Sequence, residues 1–422
     1  MSKQQNRKRI LSILITGWLV MNASFVFAAS PMISLDDSVA LALKNNPAIK
    51  MAAADKDKAV WGIDEVKAGG LPTLSLTGSD SRGNSAQGVA NGFNTSLHLS
   101  MPLYTGGRVE GQIDQAKLNA HSAELGVNAA MAQTKLDATT KYFSVLQAKN
   151  MVQVNQDAVD SMMAHLQNVE AQYQVGTVAK GDVLQSEVQL ANAQQNLTKA
   201  QNAHAVAQAS FNNVIGQAQD TENSYQDDLS YVKVDMSLDD SIQLALTNRP
   251  EIGQADDSLR AAQVGVNVAD SGRLPTVNFT GTAGKSGSDF PGNNNWSIGI
   301  SANWNLFDGG VTKARVEEAK STVAKATEQG KQTRDAIELE VRQNYLSMQE
   351  AEKRIDTAKV AVNQATENLK IADEKYAAGV GTNLDVMDAQ LALTQAKTNV
   401  TQALYDFNVY KAQLEKAVGS AN

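Results

Sequence analysis

The chain has 422 residues, 45 acidic against 37 basic side chains, a net charge of −8 with histidine neutral, and no cysteine. These values exclude disulfides, thiolate metal sites, a thiol nucleophile and a lipid on an N-terminal cysteine, and the acidic balance argues against a nucleic-acid partner. Aromatic residues make up only 5% of a chain rich in Ala, Gln and Asn, a composition of elongated helices with thin seams rather than of a globule.

In chain order, Lys3, Arg7, Lys8 and Arg9 precede an apolar run from Ile10 to Phe27 and the small residues Ala28-Ala29-Ser30. This is the pattern of a secretory signal peptide over 1–28, cleaved after Ala28 or Ala29. Loss of its four positive charges takes the net charge from −8 to −12. No later stretch has the eighteen or so consecutive apolar residues of a transmembrane helix.

From Ser34 onward the chain repeats itself at a fixed offset of 203 residues. Ser34-Leu35-Asp36-Asp37-Ser38 returns as Ser237-Leu238-Asp239-Asp240-Ser241, Leu71-Pro72-Thr73 as Leu274-Pro275-Thr276, and Gly106-Gly107 as Gly309-Gly310. Tyr173 returns as Tyr376 and Asp182-Val183 as Asp385-Val386. A period this long means a duplicated half-molecule, 29–216 and 236–422, rather than a solenoid. The acidic, polar segment 217–235 between the halves breaks the pattern and reads as a linker or equatorial segment, with room for a local strand or short helix.

Each half opens with a short helix N-capped by Ser34 or Ser237, and Pro47 or Pro250 then separates it from a second helix. The period next changes to two. Strands at about 72–81 and 93–104 place Leu74, Leu76, Leu97, Leu99 and Met101 on one face, and Ser75, Thr77, Ser96, His98 and Ser100 on the other. Their copies, about 275–284 and 295–306, oppose Phe279, Trp296, Ile298, Ile300 and Trp304 to Asn278, Thr280, Ser297, Gly299 and Ser301. Polar loops Ser79–Asn91 and Ala283–Asn295 join them.

Such hairpins suit either a half-buried sheet of a soluble domain or part of a transmembrane barrel. Trp296 and Trp304 favour the barrel: eight residues at ~3.3 Å span roughly 26 Å, the separation of two interfacial girdles around an apolar band. Four strands cannot close, and an open edge in hydrocarbon leaves unpaired backbone groups, so the barrel must be shared between chains. Two copies would give a lumen filled by side chains; three would leave room for water and suit the polar inner set.

After each Gly-Gly pair comes very long helix, about 107–213 and 309–418, uninterrupted by proline. Val145, Val152, Val159, Leu166 and Tyr173 stand seven apart, as do Met348, Ile355, Val362, Leu369 and Tyr376. These are coiled-coil seams. The helices reverse at Val175-Gly176-Thr177 and at Gly379-Val380-Gly381-Thr382.

The paired openings, the Leu-Pro and Gly-Gly motifs, and above all the turns Tyr173-Gln174-Val175-Gly176…Asp182-Val183 and Tyr376-Ala377-Ala378-Gly379…Asp385-Val386-Met387-Asp388 carry a resemblance to the TolC family of outer-membrane factors. It covers Ser34–Gly419. The resemblance implies an α+β outer-membrane protein, a homotrimer with a 12-stranded β-barrel on an α-helical barrel in the periplasm. It implies the channel of a tripartite efflux pump or type I secretion system, partnered by a periplasmic adaptor and an inner-membrane transporter of RND, MFS or ABC type. By matching position, Asp385 and Asp388 are aperture residues, Asp182 and Tyr376 members of a hydrogen-bonded gate, and Val175, Gly176, Thr177, Gly379, Gly381 and Thr382 the adaptor-facing tips. Where the family pattern has a basic residue this chain has Gly381, which removes one partner of a salt-bridge latch.

The residues alone also allow Thr382 and Asp385 to form a capping box. The four histidines have no metal-ligand spacing, no phosphate loop carries a lysine, and no triad is evident, so neither catalysis nor a cofactor is expected. The alternative function is a structural coiled-coil protein or the adaptor itself, which would have no use for amphipathic strand pairs.

Overall fold

The structure is a computed structural model that describes residues 32–85 and 88–420; the signal peptide expected over 1–28 lies outside the described residues. The first half comprises α1 (Leu35–Asn45), α2 (Pro47–Ala68), β2 (Thr73–Ser85), β3 (Gly88–Tyr104), α3 (Arg108–Gln174) and α4 (Lys180–Ile215). The second comprises α5 (Leu238–Asn248), α6 (Pro250–Asp270), β5 (Thr276–Gly287), β6 (Asn293–Asn303), α7 (Val311–Ala377) and α8 (Asn383–Ala417). A short strand β1 (Met32–Ile33) pairs in parallel with β4 (Ser224–Tyr225).

Local chemistry sets the boundaries. Ser34 Oγ accepts from Asp37 N at 3.1 Å and the Asp37 carboxylate accepts from Ser34 N, a reciprocal cap; Ser237 Oγ accepts from Asp240 N at 3.1 Å. Pro47 and Pro250 occupy the first helical positions, where a missing N–H costs nothing. Both Gly-Gly pairs have φ between 66° and 93°, which turns strand into long helix through backbone that a β-carbon disfavours.

The sheet is four-stranded and antiparallel in the order β2-β3-β5-β6, so the two repeats meet at β3 and β5. Its register brings the apolar residues into rows: Leu74, Leu99, Gly281 and Ile298 lie side by side, as do Leu76, Leu97, Ala283 and Trp296. Intervening rows are polar, such as Ser75, His98, Thr282 and Ser297. The outer edges of β2 and β6 have no partner strand among the described residues.

The strands differ from the expected spans. β2 and β3 run into the Gly/Ser/Asn stretch expected to be loop, because backbone pairing continues as long as each strand meets a partner. β6 ends at Asn303, short of Trp304 and Leu306, because its partner β5 begins at Thr276, after Pro275.

Helices α3 and α7 each have 67 residues, roughly 100 Å at 1.5 Å per residue. Near the sheet, α2 packs on α3, while α6 lies between α3 and α7; farther away, α3 packs on α4 and α8, and α7 on α8. No described helix is long and apolar enough to cross a membrane.

Two apolar clusters occupy the middle of the molecule. Ile33, Tyr142, Phe211, Ile215 and Tyr225 centre one, and Ile252, Val341, Ile355, Phe407 and Leu414 the other. Segment 217–235 is therefore no free linker, since Tyr225 and Leu229 are buried in the first cluster and Tyr231 packs on the second. A smaller cluster of Val169, Ala372, Tyr376, Val386 and Ala389 lies at the helical tips. The heptad seam also drifts: Val145 and Val159 are buried, yet Val169 replaces Leu166 and Tyr173 is 44% exposed. Its copy Tyr376, at the same heptad spacing on α7, is 6% exposed, so the helices packed around each copy, rather than the spacing, decide which tyrosine is covered.

Candidate functional site

The helical tips gather most of the residues with an expected role. Gly176 (φ 80°) and Gly379 (φ 72°) follow the last turns of α3 and α7 in left-handed conformation, and their N–H groups donate to the carbonyls of Tyr173 and Tyr376. Thr177 closes the first turn through N and Oγ1, both donating to Gln172 O. At the apices Val175 and Val380 are 75% and 78% exposed. Gly381 is confined for another reason: a β-carbon there would lie 3.0 Å from Lys375 Cβ and from Tyr376 N. Lys375, six residues before Gly381, lies near enough to help lower the Asp385 carboxyl.

Asp385 is the reciprocal partner of Thr382. Its carboxylate accepts from Thr382 Oγ1 at 2.7 Å and Thr382 N at 2.9 Å, while Thr382 Oγ1 accepts from Asp385 N at 3.2 Å. These bonds hold its pKa below the ordinary aspartate value. Asp385 and Asp388 stand exposed beside Leu384, whereas Val386, Met387 and Ala389 face inward. The capping box and the shared exposed acidic face thus coexist, because one carboxylate can cap a helix end and still present charge to solvent.

Tyr376 is 6% exposed, and its hydroxyl has no hydrogen-bond partner among the described residues. Burial first, then the nearby Asp182 charge, pushes the phenol upward in pKa. The Asp182 charge therefore lies near the phenol, with no hydrogen bond between the two side chains among the described residues. Asp182 engages instead through its backbone: its carbonyl accepts from Asn383 Nδ2 at 3.2 Å and Ser186 Oγ at 2.9 Å.

That contact belongs to a buried polar knot that the sequence did not reveal. Asn383 Oδ1 accepts from Ser186 Oγ at 3.1 Å and lies 2.6 Å from His165 Nε2. With the amide nitrogen committed to Asp182 O, the oxygen requires a donor, which places a proton on His165 Nε2. The His165 ring also rests against Tyr376 with centroids 5.1 Å apart. His165, Ser186 and Asn383 are each at most 5% exposed. Beside them His165, Asp373 and Glu374 line a groove between α3 and α7, where burial raises the Asp373 carboxyl.

The knot ends a row of polar pairs joining α3 to α8. Ser161 Oγ donates to Gln390 at 2.7 Å, Lys397 pairs with Asp157 at 2.7 Å, and Gln147 donates to Gln402 at 2.7 Å. The one available sequence signal was divergence between the repeats: Asn383, His165 and Ser186 stand opposite Lys180, Asn368 and Ala389. Among the described residues, no group of three or more His, Asp or Glu side chains is arranged to hold a metal.

At the other end, Trp296 projects from β6 with 76% exposure. Trp304 lies just past the strand, 59% exposed, its Nε1 donating to Arg273 O at 2.9 Å. The exposed apolar residues of this sheet, Leu74, Leu76, Leu97, Ile298 and Ile300 among them, share one face with Trp296.

Comparison with known proteins places this architecture. Residues 39–217 and 241–420, nearly the two repeats, each match the family model described as outer membrane efflux protein. Outer membrane protein TolC of Escherichia coli (strain K12) is 24% identical over 450 residues, covering 98% of this chain and 87% of that protein. Cation efflux system protein CusC of Escherichia coli O157:H7 is 26% identical over 404 residues, 90% of this chain and 84% of that protein. The crystal structure of the Campylobacter jejuni CmeC outer membrane channel superposes with a TM-score of 0.80 at 21% identity, over 92% of this chain and 86% of that one. A structure of VceC from Vibrio cholerae gives 0.79 at 20% identity, over 91% and 96%.

Proposed function

The chain belongs to the outer membrane efflux protein family, and from that premise we propose that three copies join edge to edge into a twelve-stranded barrel continued by a helical tunnel. Family membership makes it an outer-membrane protein with periplasmic helices, a channel rather than an enzyme. The finer reading is the conduit of a tripartite efflux pump or type I secretion system, carrying small molecules or proteins outward.

The observation that carries this reading is the four-stranded sheet, with one apolar exposed face and both edges unpaired among the described residues, set at one end of 67-residue helices. In hydrocarbon each unpaired backbone group costs several kcal/mol, so β6 of one copy must pair with β2 of the next. Three copies put the polar rows around a lumen wide enough for water. Trp296 and Trp304 then mark the two membrane boundaries.

At the far end the turns around Val175, Gly176, Thr177, Gly379, Gly381 and Thr382 meet a periplasmic adaptor, which links them to an inner-membrane transporter of RND, MFS or ABC type. With no nucleotide-binding motif in this chain, that transporter supplies the energy. Asp385 and Asp388 from three copies set six carboxylates around the narrowest passage and favour cations there. Asp182 and Tyr376 flank it.

Native mass spectrometry of detergent-extracted protein, with planar-bilayer recording of the same sample, tests this. A trimer with discrete conductance blocked by divalent cations, the block weakened by Asp385→Ala with Asp388→Ala, is expected. A monomer that neither inserts nor conducts would overturn the reading.

A further inference from the structure

We infer that the buried side-chain amide of Asn383 is the latch that holds the α7–α8 hairpin against the α3–α4 hairpin at the tip of the channel. The inference rests on the channel reading above and adds which contact keeps the tip shut where Gly381 offers no charged side chain.

Three features carry it. Asn383 lies on α8, yet all its partners belong to the other hairpin: His165 on α3, and Ser186 and the Asp182 carbonyl on α4, at 2.6, 3.1 and 3.2 Å. One amide thereby ties residues 197 to 218 positions away in sequence. The knot also terminates the polar row between α3 and α8, whose rungs at Ser161–Gln390 and Asp157–Lys397 continue away from the tip. The apolar cluster of Val169, Tyr376 and Val386 also joins the two hairpins at the tip, and the polar knot differs from it in its response to parting. Water replaces the lost hydrogen bonds when the knot opens, whereas exposed hydrocarbon gains nothing in return. Such a seam suits two hairpins that must separate and rejoin. Finally, the knot is asymmetric within the duplication. Its counterparts in the other repeat are Lys180, Asn368 and Ala389, and only the second repeat's helix start carries the amide.

The partners act by position, so the test reads gating rather than stability alone. Full-length trimers of Asn383→Ala, Ser186→Ala, His165→Ala and His165→Gln are recorded in planar bilayers, each with its thermal dissociation temperature. Asn383→Ala is expected to raise the ratio of open to closed time by about tenfold for each latch lost. Ser186→Ala, which removes one of the three bonds to the Asn383 amide and only a hydroxyl oxygen, shifts the ratio less but in the same direction. His165→Gln retains a donor in reach of Asn383 Oδ1 and keeps the closed behaviour that His165→Ala loses. Lys180→Ala, the counterpart in the first repeat, conducts like the wild type. An Asn383→Ala trimer that conducts with unchanged open time, whatever its dissociation temperature, overturns the latch while leaving the channel intact. If Asn383→Ala does not assemble, wild-type gating in both Ser186→Ala and His165→Ala overturns it. A wild-type trimer that inserts without conducting removes the channel reading and the latch together.

Discussion

The two repeats have the same elements at nearly the same lengths, including two helices of 67 residues, but they do not occupy equivalent places. Helix α3 is surrounded, with α2, α4, α6 and α8 packed along it; α7 contacts α5, α6 and α8 and borders the layer. The difference appears at paired positions. Tyr142 is fully buried while its copy Tyr345 is half-buried, and Tyr173 is 44% exposed while its copy Tyr376 is 6% exposed. Asn46 is an ordinary helix cap, whereas its copy Arg249 is a buried guanidinium held by Glu251 and Glu340 at 2.8 Å each. Duplication copies local structure; burial and charge then follow the place each copy takes in the layer.

The largest break in this comparison is expected at Arg249. Arg249→Ala leaves Glu251 without its partner and Glu340 with Lys416 alone, at 3.0 Å, and should cost about 3 kcal/mol, against about 1 kcal/mol for the lost cap in Asn46→Ala, as read by thermal unfolding in detergent. Burial pushes the Glu251 carboxyl up, but the hydrogen bonds and charge of Arg249 outweigh it and the net shift is downward. A carboxyl whose folded pKa lies below its unfolded value stabilises the fold fully above the unfolded value and loses that contribution as pH falls through the folded one. The wild type should therefore lose stability progressively below pH 4.5, the ordinary value for this carboxyl, and Arg249→Ala should show a shallower decline.

A smaller contrast sharpens the same point. Tyr142 donates to Asp227 at 2.7 Å in the apolar cluster, whereas the Tyr345 hydroxyl accepts from Gln349 of its own helix at 3.1 Å. Tyr142→Phe should cost about 1–2 kcal/mol and Tyr345→Phe less than about 0.5 kcal/mol, by the same unfolding measurement. Equal losses would mean that the two hydroxyls matter alike despite their surroundings.

What was legible in the sequence was local. Ser34 and Ser237 as caps, Pro47 and Pro250 as helix starts, the glycine pairs as strand-to-helix turns and the alternating rows of the sheet each depend on a few neighbouring residues. Strand ends were less legible because a partner fixes them: β6 stops where Pro275 limits β5, not where its own apolar pattern stops. The same heptad spacing placed Tyr173 and Tyr376 alike, although neighbouring helices cover only one. At the tip, Thr382 and Asp385 were readable as a cap, whereas the Asn383 knot was not, since its partners come from the other repeat and no local pattern marks them.

The central claim is that one face of the sheet meets lipid and the other lines a water-filled pore. The chain has no cysteine, so single cysteines at Ile298, Gly299, Ile300 and Ser301 report cleanly, and a β-carbon at Gly299 approaches no atom closer than Thr280 Oγ1 at 3.9 Å. A charged, membrane-impermeant thiol reagent is applied to trimers in a planar bilayer while current is recorded. The account predicts reaction and reduced conductance at Gly299→Cys and Ser301→Cys, with silence at Ile298→Cys and Ile300→Cys. Reaction at all four positions, or only at the two isoleucine positions, would contradict it.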